Sequence, residues 1–303
     1  MNNEKKKRMN RMNARAIVTG TCLLASIAMV KATVINIPDG AFQNVNAAVN
    51  GPISGTVDGN IGVWSAQVSD VLGLGGQMAS SNAATANWPT PPGGDTYELR
   101  IALPAGAGVT AWISQALTNN WQRNSVYTLS VDLDEQSVLD LISGVSLNLY
   151  NVGTATNLAS TQGSSLVGLF NNSSNFQPVN LVYKTPNTVP TNTIGVYFSA
   201  NGVAGISGSI LVDSFQLSVA PIQVQLAASL VPGQHGSQPS IILTGQGGAP
   251  GATYEIISST NLLVSMPAWS QVTSNQFDTN GNFSYSITVD PSTPYRFFRT
   301  VVP

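Results

Sequence analysis

Few side chains in this sequence are placed to do chemistry, and they fall into four groups. In Asn119-Asn120-Trp121-Gln122-Arg123-Asn124 an indole is set among amide and guanidinium donors, and a second indole lies in Asn87-Trp88-Pro89-Thr90-Pro91. Sugars stack their C–H faces on such rings while flanking donors hold their hydroxyls. Trp121, Arg123, Asn120 and Trp88 are therefore candidate ligand contacts, set against the plainer role of tryptophan as a core plug. A second group is acidic: Asp132, Asp134, Glu135 and Asp140. Carboxylates held about 5 to 10 Å apart hydrolyse glycosidic bonds. Here strand alternation sends Asp132 and Asp134 outward beside polar residues, the pattern of a solvated face, and no catalytic residue is assigned.

The third group is Asp278-x-Asn280-x-Asn282, a spacing that holds calcium in some loops. An EF-hand loop needs Gly at its sixth position and Glu at its twelfth; counted from Asp278 these are Phe283 and Val289. Asn280-Gly281 is instead the strongest short hairpin signal. The fourth is Asp213, in the run Ile210-Leu211-Val212-Asp213-Ser214-Phe215-Gln216-Leu217. Simple alternation puts it on the face of Leu211, Phe215 and Leu217. A charge turned toward apolar neighbours needs a partner, either a metal or backbone N–H groups.

Other chemistry is poorly supplied. The single histidine, His235, rules out a histidine pair for zinc; no Gly-x-Ser-x-Gly elbow occurs, and no Gly-rich loop opens a helix to cradle phosphate.

The elements that must position these groups are strands. Tyr127, Leu129, Val131 and Leu133 alternate with polar residues, as do Val145, Leu147 and Leu149, and Ile194, Val196 and Phe198. Turn signals separate such runs at Pro38-Asp39-Gly40, Asn50-Gly51-Pro52, Pro91-Pro92-Gly93-Gly94 and Asn201-Gly202. With 28 Gly, 17 Pro and only 9% charged residues, the chain is expected to be all-β.

Residues 1–32 have the form of a signal peptide. Lys5 to Arg15 is basic, Ala16 to Val30 is mostly apolar, and Val30-Lys31-Ala32 ends in a small residue. An apolar run of about fifteen residues is short for a membrane span, which needs roughly twenty, so no span is expected in the mature chain. Cys22 lies inside that run. Seven of the twelve Lys and Arg fall in this segment. The remaining chain carries Arg100, Arg123, Lys184, Arg296 and Arg299 against thirteen carboxylates, a balance of about −8 that excludes nucleic acid as a partner. It also lacks cysteine, and with it disulfides and thiolate metal sites. A boundary is expected near Ala220-Pro221, giving domains 33–220 and 221–303; the six or so short strands of the second suit a small sandwich.

Two resemblances add to this. The stretch from Leu243-Thr244-Gly245 through Tyr254-Glu255-Ile256-Ile257-Ser258-Ser259-Thr260-Asn261, Trp269, Phe277-Asp278-Thr279-Asn280-Gly281-Asn282-Phe283 and Pro294-Tyr295-Arg296-Phe297-Phe298-Arg299 resembles a small β-domain that ends many secreted bacterial proteins. It spans residues 241–300 and implies a non-catalytic terminal module of fibronectin or immunoglobulin shape, for presentation or sorting at the cell surface. Ile37-Pro38-Asp39-Gly40-Ala41-Phe42-Gln43, Trp64, Trp112 to Leu117, Val126 to Leu133 and Ile210 to Leu217 together resemble the galactose-binding-like jelly roll of carbohydrate-binding modules. That resemblance implies a structural calcium held by Asp213 and the turn of Asp39 and Gln43, although Gln43 stands where a Glu would supply charge and its neutral amide weakens the site.

The expectation is an exported protein, in the periplasm, at the cell surface or outside the cell, with a jelly-roll β-sandwich followed by a fibronectin or immunoglobulin-like sandwich. Its leading role is non-catalytic binding of a polysaccharide, a cell-surface glycan or another extracellular ligand. A structural or adhesive surface protein and a polysaccharide-active enzyme are the alternatives.

Overall fold

The computed structural model describes residues 31–43, 47–51, 55–86, 96–104, 108–135, 145–162, 176–202, 207–234, 237–293 and 295–303. Residues 1–30 of the leader, Trp88, Asp140 and His235 lie outside the described residues. Strands are the dominant regular structure of the described residues, and the chain divides into one compact unit of residues 31–185 and 189–220 and a second that contains 221–303.

In the first unit thirteen strands form two sheets. They are β1 (Thr33–Ile35), β2 (Ala47–Asn50), β3 (Gly55–Ile61), β4 (Trp64–Asp70), β5 (Gln77–Asn82), β6 (Tyr97–Leu103), β7 (Val109–Asn120), β8 (Ser125–Glu135), β9 (Ser146–Asn151), β10 (Thr156–Gln162), β11 (Gln177–Lys184), β12 (Thr193–Asn201) and β13 (Gly208–Pro221). A seven-stranded sheet runs β11-β8-β13-β6-β5-β2, with β1 also paired to β13; a six-stranded sheet runs β10-β9-β12-β7-β4-β3. Every pairing resolved is antiparallel. The two sheets close on one core, the jelly-roll sandwich that the resemblance implies. Tyr127, Leu129, Val131 and Leu133 of β8 and Leu147, Leu149, Ile194, Val196 and Phe198 of the other sheet are fully buried in it.

The alternation of core residues breaks in β13. Ile210 and Val212 face the core, and so do Phe215, Leu217 and Val219, whereas Leu211 is not part of the core cluster. Odd and even positions exchange faces between Val212 and Phe215. That requires one extra residue, and the backbone supplies it: Ser214 has φ of 56°, in the left-handed region. Asp213 is therefore not on the face of Phe215 and Leu217 but on the opposite, outer face of the sheet with Leu211 and Ser214, whose Oγ donates to Asp213 Oδ2 at 3.1 Å.

Past the bulge Phe215 enters an aromatic group. Its ring lies 4.8 Å from Trp64, 6.2 Å from Phe42 and 6.2 Å from Phe198, centroid to centroid. The Asp39-Gly40 turn closes over this group. Phe215 N–H donates to the Gly40 carbonyl at 2.9 Å and Trp64 Nε1 donates to the Asp39 carbonyl at 3.0 Å.

In the second unit β14 (Gln225–Val231), β15 (Ser240–Gln246) and β18 (Phe283–Thr288) form one sheet, in the order β14-β15-β18. Strands β16 (Thr253–Ser259), β17 (Ser270–Gln276) and β19 (Phe297–Val301) form the other, in the order β17-β16-β19. Tyr254 stacks on Phe283 at 4.2 Å and leans on Phe277 at 5.0 Å, tying one sheet to the other. Asn280-Gly281 does form a turn, but not a hairpin: β17 and β18 belong to different sheets, so residues 277–282 cross from one to the other. Only Gly281 takes positive φ there, 75°. Asp278 commits its carboxylate to the turn, accepting from Asn280 and Asn282 N–H at 2.9 and 2.8 Å.

If the bulge sets the register of β13, Ser214→Gly should change stability by less than about 1 kcal/mol, because glycine keeps the left-handed backbone at no steric cost. Ser214→Val should cost about 2 kcal/mol or more, since a β-branched residue there forces the chain out of that region. Urea unfolding of the two variants compares them, and equal losses would contradict this account.

Candidate functional site

Because the bulge turns Asp213 outward, it meets neighbours that its sequence position does not suggest. The register of β13 with β6 pairs Leu211 with Arg100 and Val212 with Leu99. The next step along each strand is Asp213 and Glu98. On the other side of β13 lies β8, where Asp134 shares the outer face with Asp132 and Ser130, opposite in parity to the core residues Val131 and Leu133. Three carboxylates thus sit on three adjacent strands of the seven-stranded sheet, on its face away from the core. All three are withdrawn from water, at 0%, 0% and 1% exposure for Glu98, Asp213 and Asp134.

The expectation that Asp134 belongs to a solvated face is thereby corrected: it faces outward as alternation demands, but it is buried. Asp132 is half-buried, and burial pushes its carboxyl above the usual range. Glu98 is the residue that sequence inspection misses. It stands at the start of a short strand, with nothing in the spacing of Tyr97-Glu98-Leu99-Arg100 to mark it.

Glu98 is pushed up to about 8, first by burial and then by the negative charges of Asp213 and Asp134. Among the described residues neither of its carboxyl oxygens has a hydrogen-bond partner. The contrast with Asp70 gives this weight. Asp70 is equally buried, and burial pushes it up as well, yet its carboxyl is held below the usual range by backbone N–H groups. Leu74, Gly75 and Gly76 donate to it at 3.0, 2.7 and 3.0 Å. The same fold thus satisfies one buried carboxylate from its own backbone, while another has no donor among the described residues. An unsatisfied buried polar group costs about 1–3 kcal/mol, and strongly shifted groups of this kind concentrate at functional sites.

Around the carboxylates the outer face is polar and half-withdrawn from solvent: Thr128 and Ser130 on β8, Arg100 on β6 and Ser214 on β13. Such a face offers acceptors for hydroxyl donors, one guanidinium donor, and a carboxyl pushed up to about 8 beside two further carboxyl groups.

The other candidate residues are dispersed. Trp121 is 5% exposed and packs edge-on against Tyr127 at 4.9 Å and Tyr183 at 5.5 Å. Its ring plugs the sandwich and is no open stacking platform, whereas Asn120 and Arg123 beside it are exposed. Asp39 is half-buried; burial pushes it up against a lowering hydrogen bond from the Gln43 N–H, and the Gln43 side chain is exposed. Asp213 raises the pKa of Glu98 by its charge. Among the described residues no group of three or more His, Cys, Asp and Glu has the geometry to hold a metal ion. None of their helices is long and apolar enough to cross a membrane.

No protein-family model and no curated protein matches the chain. Solved structures do. A Stig cyclase, Fisc, from Fischerella sp. TAU, in complex with (3Z)-3-(1-methyl-2-pyrrolidinylidene)-3H-indole, is 16% identical over 64% of this chain and 100% of its own, with a TM-score of 0.45. The carbohydrate-binding module TmCBM61, in complex with β-1,4-galactotriose, is 15% identical over 51% of this chain and 86% of its own, with a TM-score of 0.33. The family 11 carbohydrate-binding module of the cellulosomal cellulase Lic26A-Cel5E of Clostridium thermocellum is 11% identical over 64% of this chain and 98% of its own, with a TM-score of 0.33.

The raised Glu98 pKa fixes a sign. Between the ordinary value of 4.5 and about 8 the folded protein holds a proton that the unfolded chain releases, so this group's contribution to stability falls as pH rises through that window and levels off above it. Glu98→Gln should therefore melt at the same temperature as wild type near pH 4 and several degrees higher at pH 8. Thermal melts at a series of pH values measure the difference; a gap that does not vary with pH would show that Glu98 is not held protonated.

Proposed function

We propose that this is an exported protein whose jelly-roll unit binds an extracellular carbohydrate on the outer face of the seven-stranded sheet, without turning it over. The observation that carries the reading is the face itself. Hydrogen-bonding side chains half-withdrawn from water line it, and they lead to Glu98, a buried carboxyl with no donor among the described residues. Hydroxyl-rich ligands supply such donors, and protein groups fixed on strands hold them with little loss of freedom on binding. The basic and apolar leader supports export. The second unit, whose buried carboxylate count is nil among the described residues, serves as the terminal spacer or display module of fibronectin-like shape.

A second reading has one specific observation behind it. A carboxylic acid pushed up to about 8, and so kept protonated near neutral pH, beside other carboxyl groups is the arrangement of a general acid. On that reading Glu98 protonates a leaving oxygen and the protein is a polysaccharide-active enzyme.

Screening the protein against an array of plant, algal and bacterial polysaccharides separates the two. The binding reading expects retention of intact glycan with no new reducing ends. It also expects Arg100→Ala and Asp132→Asn each to weaken retention about tenfold, the loss typical of one or two good hydrogen bonds to charged groups, while Trp121→Ala should lower stability before it lowers affinity. Release of shorter products, abolished in Glu98→Gln, would favour the enzyme; failure to bind any glycan would remove both.

A further inference from the structure

We propose that the second unit pairs with a second copy of this chain, each copy's β14 closing the open side of the other's sandwich. Tyr254 of β16 stacks on Phe283 of β18 across the core at 4.2 Å, so these two strands lie face to face. Strand β16 is the middle strand of its sheet, whereas β18 is an edge strand of its own. The two sheets are therefore offset, with β14 and β17 overhanging at opposite sides. Phe298 of β19 is buried while β17 has no buried residue, which puts β15 over β19 and leaves β14 with no strand of its own chain facing it. The side chains agree. Leu226, Ala228 and Leu230 of β14 stand opposite Gly245, Leu243 and Ile241, all buried, and so belong to the inner face. Yet Leu226 is only half-buried, Ala228 is exposed and Leu230 is 48% exposed. The overhang at β17 needs no such cover, since Ser270–Gln276 is polar except for Val272.

The position facing β14 adjoins the outer edge of β19. Among the described residues neither that edge nor the outer edge of β14 is paired with another strand. Proteins protect such edges with charges, proline or bulges. Strand β14 has none of these: its sequence is Gln-Leu-Ala-Ala-Ser-Leu-Val, and its register with β15 is unbroken over all seven residues. A strand from a different protein, laid along β19, would cover the apolar face of β14 but leave its edge open. A second copy answers both needs. With a two-fold axis running along the strands, β14 of one copy lies against the inner face of β14 of the other, and its outer edge meets the partner's β19. The sheet β18-β15-β14 of each copy then continues into β19-β16-β17 of its partner. The Leu226, Ala228 and Leu230 side chains of both copies meet in one apolar layer, and the uncharged strand has nothing that repels its own image.

The experiment is sedimentation velocity of the purified protein over a concentration series from nanomolar to tens of micromolar. We expect a reversible dimer. Ala228→Glu and Leu230→Glu should each weaken it by about a hundredfold or more, because the two-fold sets each new carboxylate against its own copy in an apolar layer. Both positions are exposed in the single chain, so either variant should fold, and one suffices if the other does not. Asn275→Glu, on the polar overhang of β17, should leave the dimer intact. Amide hydrogen exchange locates the contact: Phe297–Val301 should exchange more slowly at dimer-forming concentrations, and that protection should vanish in Ala228→Glu. A single chain at every concentration overturns the inference. So does a dimer that survives both β14 variants, or one that forms without slowing exchange in β19.

Discussion

The constraint on which the first unit depends is the extra residue at Ser214. A strand of the length of β13 keeps one face to the core only if its alternation is unbroken. Here the break is used. Before it, Ile210 and Val212 pack inward opposite Leu99 and Ile101; after it, Phe215 and Leu217 do so among Trp64, Phe42 and the N-terminal strand. Without the bulge one half of the strand would turn its apolar side chains to the outer face. With it, both halves feed the core, and the side chains left at the junction, Asp213 and Ser214, point away from it. The hydrogen bond from Phe215 to the Gly40 carbonyl then anchors the turn that covers the aromatic group.

That displacement creates the acidic row. Side chains on one face of neighbouring strands come within a few ångströms of each other, and there the charges of Asp213 and Asp134 add to burial in pushing the Glu98 carboxyl up. The protein could have satisfied Glu98 as it satisfies Asp70, with a run of backbone N–H groups from a Gly-containing turn. It does not, because Glu98 lies inside a strand whose N–H groups are committed to the ladder. A buried acid in mid-sheet is a standing cost to stability. Sites that carry such a cost are the ones where function demands it.

The second unit obeys a different logic. Its carboxylates at Asp278 and Asp290 are exposed and serve their own turns, with Asp290 held low first by the Ser292 hydroxyl and then by the Ser292 N–H and the Thr293 hydroxyl. Its core is aromatic and crosses between sheets through Tyr254, Phe277 and Phe283. Among the described residues the buried carboxylates are thus confined to the first unit.

Much of the fold is legible in the sequence because alternation is local. The faces of β8, β9 and β12, and all six strands after residue 221, come from a period of two and the turn residues between them. The site is not legible, for two physical reasons. A single inserted residue reverses parity, and only the backbone at Ser214 reveals the insertion, so alternation alone puts Asp213 on the wrong face. Glu98 and Asp134 are ordinary acids in sequence, and Asp134 lies on the outer face as expected; their burial and their proximity arise from which strands lie side by side, a non-local choice that β13 makes when it inserts between β6 and β8. The polar company of Trp121 is equally ambiguous, since the same indole serves a binding loop or a core, and Tyr127 and Tyr183 decide for the core. The sequence by itself determined that strands form and where most of them turn, because hydrophobic period and turn chemistry act over a few residues; the tertiary structure alone decided which acids meet, because strand order and a bulge set distances between residues that are 36 to 115 positions apart in the chain.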